Sequence, residues 1–176
     1  LHNNWADLLI DDQKYEEAAA RYQKVIDGNT PNRKAMVSAM EGLITYYARI
    51  GRLDKADEMH RKNIEYEPGS AWSHGNYAQF LLCRKGEFGK SIDQSREALQ
   101  LMNYGVGRYW LAAALYLKWS SFVLNGQVEQ GQAFFDEAER LYPDVDQIVS
   151  RTGSCPVLRN VQVALSRVRS AGGSAK

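Results

Sequence analysis

The residue types that ligate metals or attack carbonyls are present in this 176-residue chain, but they stand far apart. Three histidines, His2, His60 and His74, and two cysteines, Cys83 and Cys155, are the strongest metal and redox ligands it has. None is spaced closely enough to another to form a zinc site. The histidines therefore read as surface or packing residues. Asp144 and Asp146 resemble the first two ligands of a calcium loop, but the required Gly and closing Glu do not follow. Gly105-x-Gly107 is a lone glycine pair in an expected linker, with no strand before it, so it makes no dinucleotide fingerprint. Ser, His and Asp residues exist, yet no spacing gathers them into a nucleophilic triad. The expectation is a non-catalytic chain with no cofactor and no metal. Cys83 in a helix and Cys155 in a loop form no obvious disulfide framework, which points to a reducing, cytoplasmic compartment.

What does recur is a packing pattern. Gln13-x-Tyr15-x-x-Ala18-x-x-x-Tyr22 is followed by Gly51-x-Leu53-x-x-Ala56-x-x-x-His60. Gly86-x-Phe88-x-x-Ser91-x-x-x-Ser95 and Gly126-x-Val128-x-x-Gly131-x-x-x-Phe135 complete the set. The four turn positions lie 38, 35 and 40 residues apart. A unit of this size cannot bury its apolar face alone, so successive units must stack into a continuous core. Helical periodicity predicts pairs at 3–10 and 15–26, 33–49 and 54–66, 70–84 and 90–102, and 108–124 and 129–142. Asp54 is the expected N-cap of the helix it opens. Gly131 inside a helix costs roughly 1 kcal/mol of propensity relative to Ala, and it permits close backbone approach. Asp144 is placed to cap a short helix, and 156–169 reads as a last helix with Val157, Leu158, Val161, Leu165 and Val168 on one side. Trp5, Trp72, Trp110 and Trp119 read as packing residues, with Trp5 also placed to meet a missing upstream repeat or a partner.

The pattern resembles the tetratricopeptide repeat. Met40, Leu43 and Tyr47 stand where that family has Trp, Leu and Tyr, and Pro68 and Pro143 close repeats as its prolines do. The resemblance covers 1–142, as repeats at about 1–30, 33–69, 70–105 and 108–142, followed by capping helices over 143–170 and a disordered tail, 171–176. It implies an all-α, right-handed superhelical solenoid of about four helix pairs with a C-terminal capping helix. In the family the first helix of each pair lines a concave groove that holds peptides. That register implies groove positions at Asp7, then Glu41, Thr45 and Arg49, then Asn76, Phe80 and Arg84, and finally Tyr116 and Ser120. The arginines would grip a carboxylate and the aromatics would supply anchor area. Arg49 and Arg84 equally suit helix ends without any ligand, and Phe80 equally suits packing between helices. The family's clamp for acidic C-termini uses Lys and Asn on the first unit, Asn on the second, and Lys and Arg on the third, where this chain has Asn3 and Asp7, Gly42, and Ser73 and Tyr77. No required cation is present, so that specialisation is not expected.

Composition restricts the remaining classes. Hydrophobic residues make up 44% of the chain, enough for a sizeable core and one elongated domain, yet no run approaches the ~20 apolar residues of a membrane span. Five of the 22 basic residues, and none of the 21 acids, lie beyond Gln147, so the last segment is basic within a chain of net charge +1. Arg167 and Arg169 there complement a helix C-terminus. With Asp7 and Glu41 on the expected groove, RNA binding is disfavoured. The expectation is a scaffold or adaptor that binds a protein or peptide partner. The alternative is a regulatory or substrate-recruiting segment of a larger enzyme. A chain that begins inside its first repeat suggests further N-terminal repeats, and self-association through that edge is a third possibility.

Overall fold

A computed structural model describes residues 14–172, and the expected first helix with Asn3, Trp5 and Asp7 lies outside them. The described residues are all-α, with no strand among them. Contacts divide the chain into two compact units, Leu1–Gly69 and Ser70–Lys176, where the sequence suggested a single elongated domain.

The first unit holds α1 (Tyr15–Asp27), α2 (Arg33–Arg49) and α3 (Leu53–Tyr66). Helix α2 packs against both of the others. Its start is fixed by Asn32, whose side chain accepts a hydrogen bond from the Ala35 N–H at 3.1 Å. Ala18, Tyr22, Ala39, Leu43 and Met59 form the core. Gly42 brings α2 close to α1, where a Cβ would stand 2.2 Å from the Tyr22 ring. Asp54 is not the N-cap of α3. Arg52 holds that position and Asp54 lies in the first turn, where its charge complements the helix N-terminus.

The second unit begins with α4 (Ala71–Phe80), which loosens into a π-helical turn at Leu81–Lys85. Then come α5 (Phe88–Leu101), α6 (Gly105–Leu124), α7 (Val128–Leu141), the short α8 (Val145–Val149) and α9 (Arg159–Ser170). Short 3-10 turns at Ser150–Gly153 and Pro156–Leu158 connect the last two. Gly105 and Gly107, expected in a linker, are the first turn of α6. Asp144 caps α8 as its type predicts, accepting from the Gln147 N–H at 2.9 Å. Helix α6 packs against α5, α7 and α9, and from Tyr109 to Leu117 every one of its residues is buried.

The repeat pattern is written into the turns. Gly51, Gly86 and Gly126 all have positive φ, at 76°, 68° and 77°, between the first and second helices of their pairs. The residue after each closes the preceding helix by a backbone hydrogen bond: Arg52 N–H to Tyr47 O at 2.8 Å, Glu87 N–H to Leu81 O at 2.9 Å and Gln127 N–H to Phe122 O at 2.9 Å. This is the glycine-centred helix stop that satisfies orphan carbonyls. The small residues five positions on, Ala56, Ser91 and Gly131, are buried. At Gly131 a Cβ would meet Phe122 Cβ at 2.9 Å and Trp119 at 3.3 Å, so the close approach expected of it is present.

One expectation about the ends of the second unit is overturned. Cys83, in the π-turn after α4, and Cys155, ahead of α9, are joined in a disulfide across 72 positions of sequence. Their spacing gave no sign of it because only the return of the C-terminal segment to the end of α4 brings them together. Disulfides persist in oxidising compartments and are rare in reducing ones, so the pairing speaks against the reducing, cytoplasmic setting inferred from unpaired thiols.

Candidate functional site

In the first unit α2 turns Met36, Ala39, Met40 and Leu43 inward and leaves Glu41, Thr45 and Arg49 on an exposed stripe, as its register predicts. The Thr45 hydroxyl donates to the Glu41 carbonyl at 3.0 Å, a bond within the helix. The Arg49 guanidinium sits 4.6 Å from the centroid of the Tyr15 ring on α1, a cation–π contact that fixes its position. Partial desolvation, and secondarily the negative charge of Glu67, hold the Glu41 carboxyl above the usual carboxylate range. Glu67 is itself paired with Arg33. The stripe is thus mixed in charge, with a carboxyl raised above its usual range and a cation held against an aromatic ring.

In the second unit the expected positions separate. Asn76 and Arg84 are exposed, Asn76 on α4 and Arg84 in the π-turn. Phe80 is buried, with its ring stacked at 6.4 Å on Tyr77 of the same helix, so it lines no open surface. Tyr116 and Ser120 are fully buried. The Tyr116 ring meets Phe135 of α7 edge-on at 5.4 Å, and its hydroxyl donates to the Tyr142 carbonyl at 3.2 Å. Burial pushes the Tyr116 phenol well above its ordinary range. Ser120 donates to the Leu117 carbonyl at 2.7 Å. Both fail as groove residues because α6 is walled in by α5, α7 and α9, which leave no open surface at these two positions.

The residue missed is Trp72. Read as core, it is 54% exposed, one turn before Asn76 on the open side of α4. Its ring packs against Tyr104, tilted by 48°, with centroids 5.1 Å apart. Tyr104 in turn donates from its hydroxyl to the Ala71 carbonyl at 3.3 Å. Exposed Leu101 ends α5, Met102 lies in the connection that supplies Tyr104, and Val106 stands in the first turn of α6. A signal was available in the four-residue step from Trp72 to Asn76, since Tyr77 and Ala78 already occupy the packing side. Trp110 and Trp119 are buried, as a packing role requires. So are His60 and His74, the latter with Nδ1 2.9 Å from Gln94 Oε1. Among the described residues no group of three His, Cys, Asp or Glu could hold a metal ion. No described helix is long and apolar enough to cross a membrane.

No family model matches the sequence, and no curated protein matches it. A solved structure does. The chain is similar in fold to PilW. That crystal structure, of a widely conserved type IV pilus biogenesis factor, superposes with a TM-score of 0.50 and 18% identity. The match covers 96% of this chain and 91% of that one. Likeness to PilW at this identity speaks to fold, and it agrees with the helical-repeat reading of the turns.

Proposed function

We propose that this chain is a non-catalytic helical-repeat module of the tetratricopeptide type that binds a protein or peptide partner through the open sides of its first helices. Trp72 carries the reading. A tryptophan more than half exposed, steadied by a tyrosine that is itself hydrogen-bonded to backbone, is the residue type on which binding energy concentrates. It contributes little to the core that a repeat must build. Asn76 and Arg84 supply polar contacts in the same unit, and Glu41, Thr45 and Arg49 do so in the first unit. The Cys83–Cys155 bridge supports an oxidising compartment as the place of action in preference to the cytoplasm. Likeness to a pilus biogenesis factor is compatible with that setting.

The test is affinity capture from the source lysate with wild type and with Trp72→Ala, each verified as helical by circular dichroism. Loss of an anchor tryptophan is expected to cost about 2 kcal/mol or more in binding, roughly a thirty-fold weakening. A partner held equally by Trp72→Ala and by an Arg49→Glu, Arg84→Glu variant would overturn the reading.

A further inference from the structure

In the second unit the first helix of each pair differs from the second in charge. No Asp or Glu occurs between Glu67 and Glu87, or between Glu97 and Glu129, although the chain holds 21 of them. Those two acid-free stretches contain α4 with its π-turn, and α6 with the connection before it. The acids of the helix pairs lie instead on α5 and α7 and at their starts. On α4 only Trp72, Asn76 and Gln79 are exposed, and every other residue is buried. Steps of four and three set these residues on one side of the helix. Arg84, twelve residues past Trp72, would stand about 120° round from it in an unbroken α-helix, which turns ~100° per residue. The π-turn at Leu81–Lys85 winds less per residue, and so brings Arg84 back towards the Trp72 side. One stripe thus runs from an exposed tryptophan through two amides to an exposed guanidinium, over a rise of roughly 18 Å. Arg84 has no hydrogen bond or ion pair among the described residues. Lys85, by contrast, is paired with Glu87, and Lys118 lies 4.2 Å from the centroid of the Phe134 ring. In the connection that supplies Tyr104, Asn103 accepts from Arg108 at 2.7 Å, a neutral partner that leaves the charge of the cation uncancelled.

Building on the binding role proposed above, on which the inference rests, we infer that the partner is an acidic peptide laid in extended form along α4. An apolar side chain of the peptide meets Trp72 and Tyr104, and a carboxylate meets Arg84. Charge complementarity selects this occupant, because the stripe and its flank offer cations and no acid. A guanidinium without a partner of its own presents a fork that takes a carboxylate through two parallel hydrogen bonds. Asn76 and Gln79 each donate and accept, which suits the N–H and C=O groups of an extended backbone. Such a backbone advances roughly 3.3 Å per residue, so the carboxylate lies about five or six residues from the apolar anchor.

The probe is a displayed library of random decapeptides, selected against the whole oxidised chain. Enriched peptides are synthesised, and their affinities are measured by fluorescence anisotropy for wild type, Trp72→Ala, Arg84→Glu, Arg84→Gln and Arg159→Glu. The last removes an exposed cation on α9 and controls for attraction by overall charge. Circular dichroism checks each variant, and Arg84→Gln decides the matter if Arg84→Glu does not fold. The expected peptides carry an aromatic residue or leucine with an Asp or Glu five or six positions away. Trp72→Ala and Arg84→Glu each weaken them at least ten-fold, and Arg159→Glu less than two-fold. Replacing the peptide's acid by its amide makes wild type and Arg84→Gln bind alike, as a shared contact requires. Enriched peptides that are neutral or basic, or acidic peptides indifferent to both Arg84 variants, would overturn the acidic partner. So would tighter, Arg84-dependent binding of an oligothymidylate, which would make the partner a nucleic acid. Neutral peptides lost with Trp72→Ala would leave the binding module standing without its acidic partner, whereas a selection with no Trp72-dependent peptide would remove both.

Discussion

Replacing Gly42 by Ala sets helix propensity against packing, and the geometry says packing prevails. In an unobstructed helix the change stabilises by roughly 1 kcal/mol. Here the new Cβ would stand 2.2, 2.3 and 2.6 Å from Cε2, Cζ and Cδ2 of Tyr22. Carbon atoms at rest lie ~3.5–4.0 Å apart, so the ring or the helix must move by more than about 1 Å. Tyr22 is 1% exposed and enclosed by Ala18, Ala19, Ala39, Leu43 and Met59, so the ring has nowhere to go. Overpacking of this kind costs about 1–3 kcal/mol, which cancels the propensity gain and leaves a net loss of up to roughly 2 kcal/mol. Gly89→Ala is the matched control. It lies in the first turn of α5, exposed, with nothing within 4 Å of where a Cβ would stand, and it is expected to stabilise by up to about 1 kcal/mol. Urea denaturation followed by far-ultraviolet circular dichroism gives both values. Adding Gly42→Ala to a Tyr22→Ala background removes the obstacle, and there the substitution is expected to become neutral or stabilising. A Gly42→Ala that stabilises the wild-type background as much as Gly89→Ala does would refute the argument.

Further expectations follow from other buried groups and turns. Burial lowers the pKa of His60 to about 4 against a smaller opposing pull from Asp57. The folded chain therefore keeps this ring neutral where the unfolded chain protonates it, and stability present above about pH 6.5 is lost as pH falls towards 4, by up to roughly 3 kcal/mol. Denaturation between pH 7 and 4 should show this, and His60→Leu should flatten the profile. Tyr116→Phe removes the donor to the Tyr142 carbonyl and is expected to cost about 0.5–1.5 kcal/mol, read from the urea midpoint. Because the Tyr116 phenol is raised, its neutral form favours the fold below about pH 10, and stability falls above that pH less steeply in the Tyr116→Phe variant. Gly126→Ala forces a side chain into φ of 77° and should cost about 1–2 kcal/mol, whereas Gly153→Ala, with nothing near its Cβ and no positive φ, should be close to neutral. Thermal melts of the two variants side by side check the contrast.

Helices were legible because packing periodicity is a local property. The expected span 33–49 is the observed α2, and Asp144 caps the helix it precedes. The glycine turns were legible for the same reason, since a helix stop needs only the residues beside it. The candidate surface was less so. Glu41, Thr45, Arg49, Asn76 and Arg84 are exposed, but register alone could not tell that other helices enclose α6 and bury Tyr116 and Ser120. Phe80 and Trp72 exchanged roles because a one-residue step around a helix is a turn of about 100°, enough to carry a ring from core to solvent. The cysteine pair was invisible for a different reason: 72 residues of chain separate the partners, and no local pattern encodes a long-range meeting.

The enclosure of α6 also carries a consequence for the making of the protein. Its twenty residues include a long stretch with no polar side, which is stable only once α7 and α9 have closed over it. Both covering helices are translated later, so α6 leaves the ribosome with its apolar flanks bare. Cys83 likewise waits as a thiol until Cys155 has been synthesised. The second unit therefore matures from its C-terminal end backwards, and a chain cut short before α9 exposes the surface most able to drive aggregation.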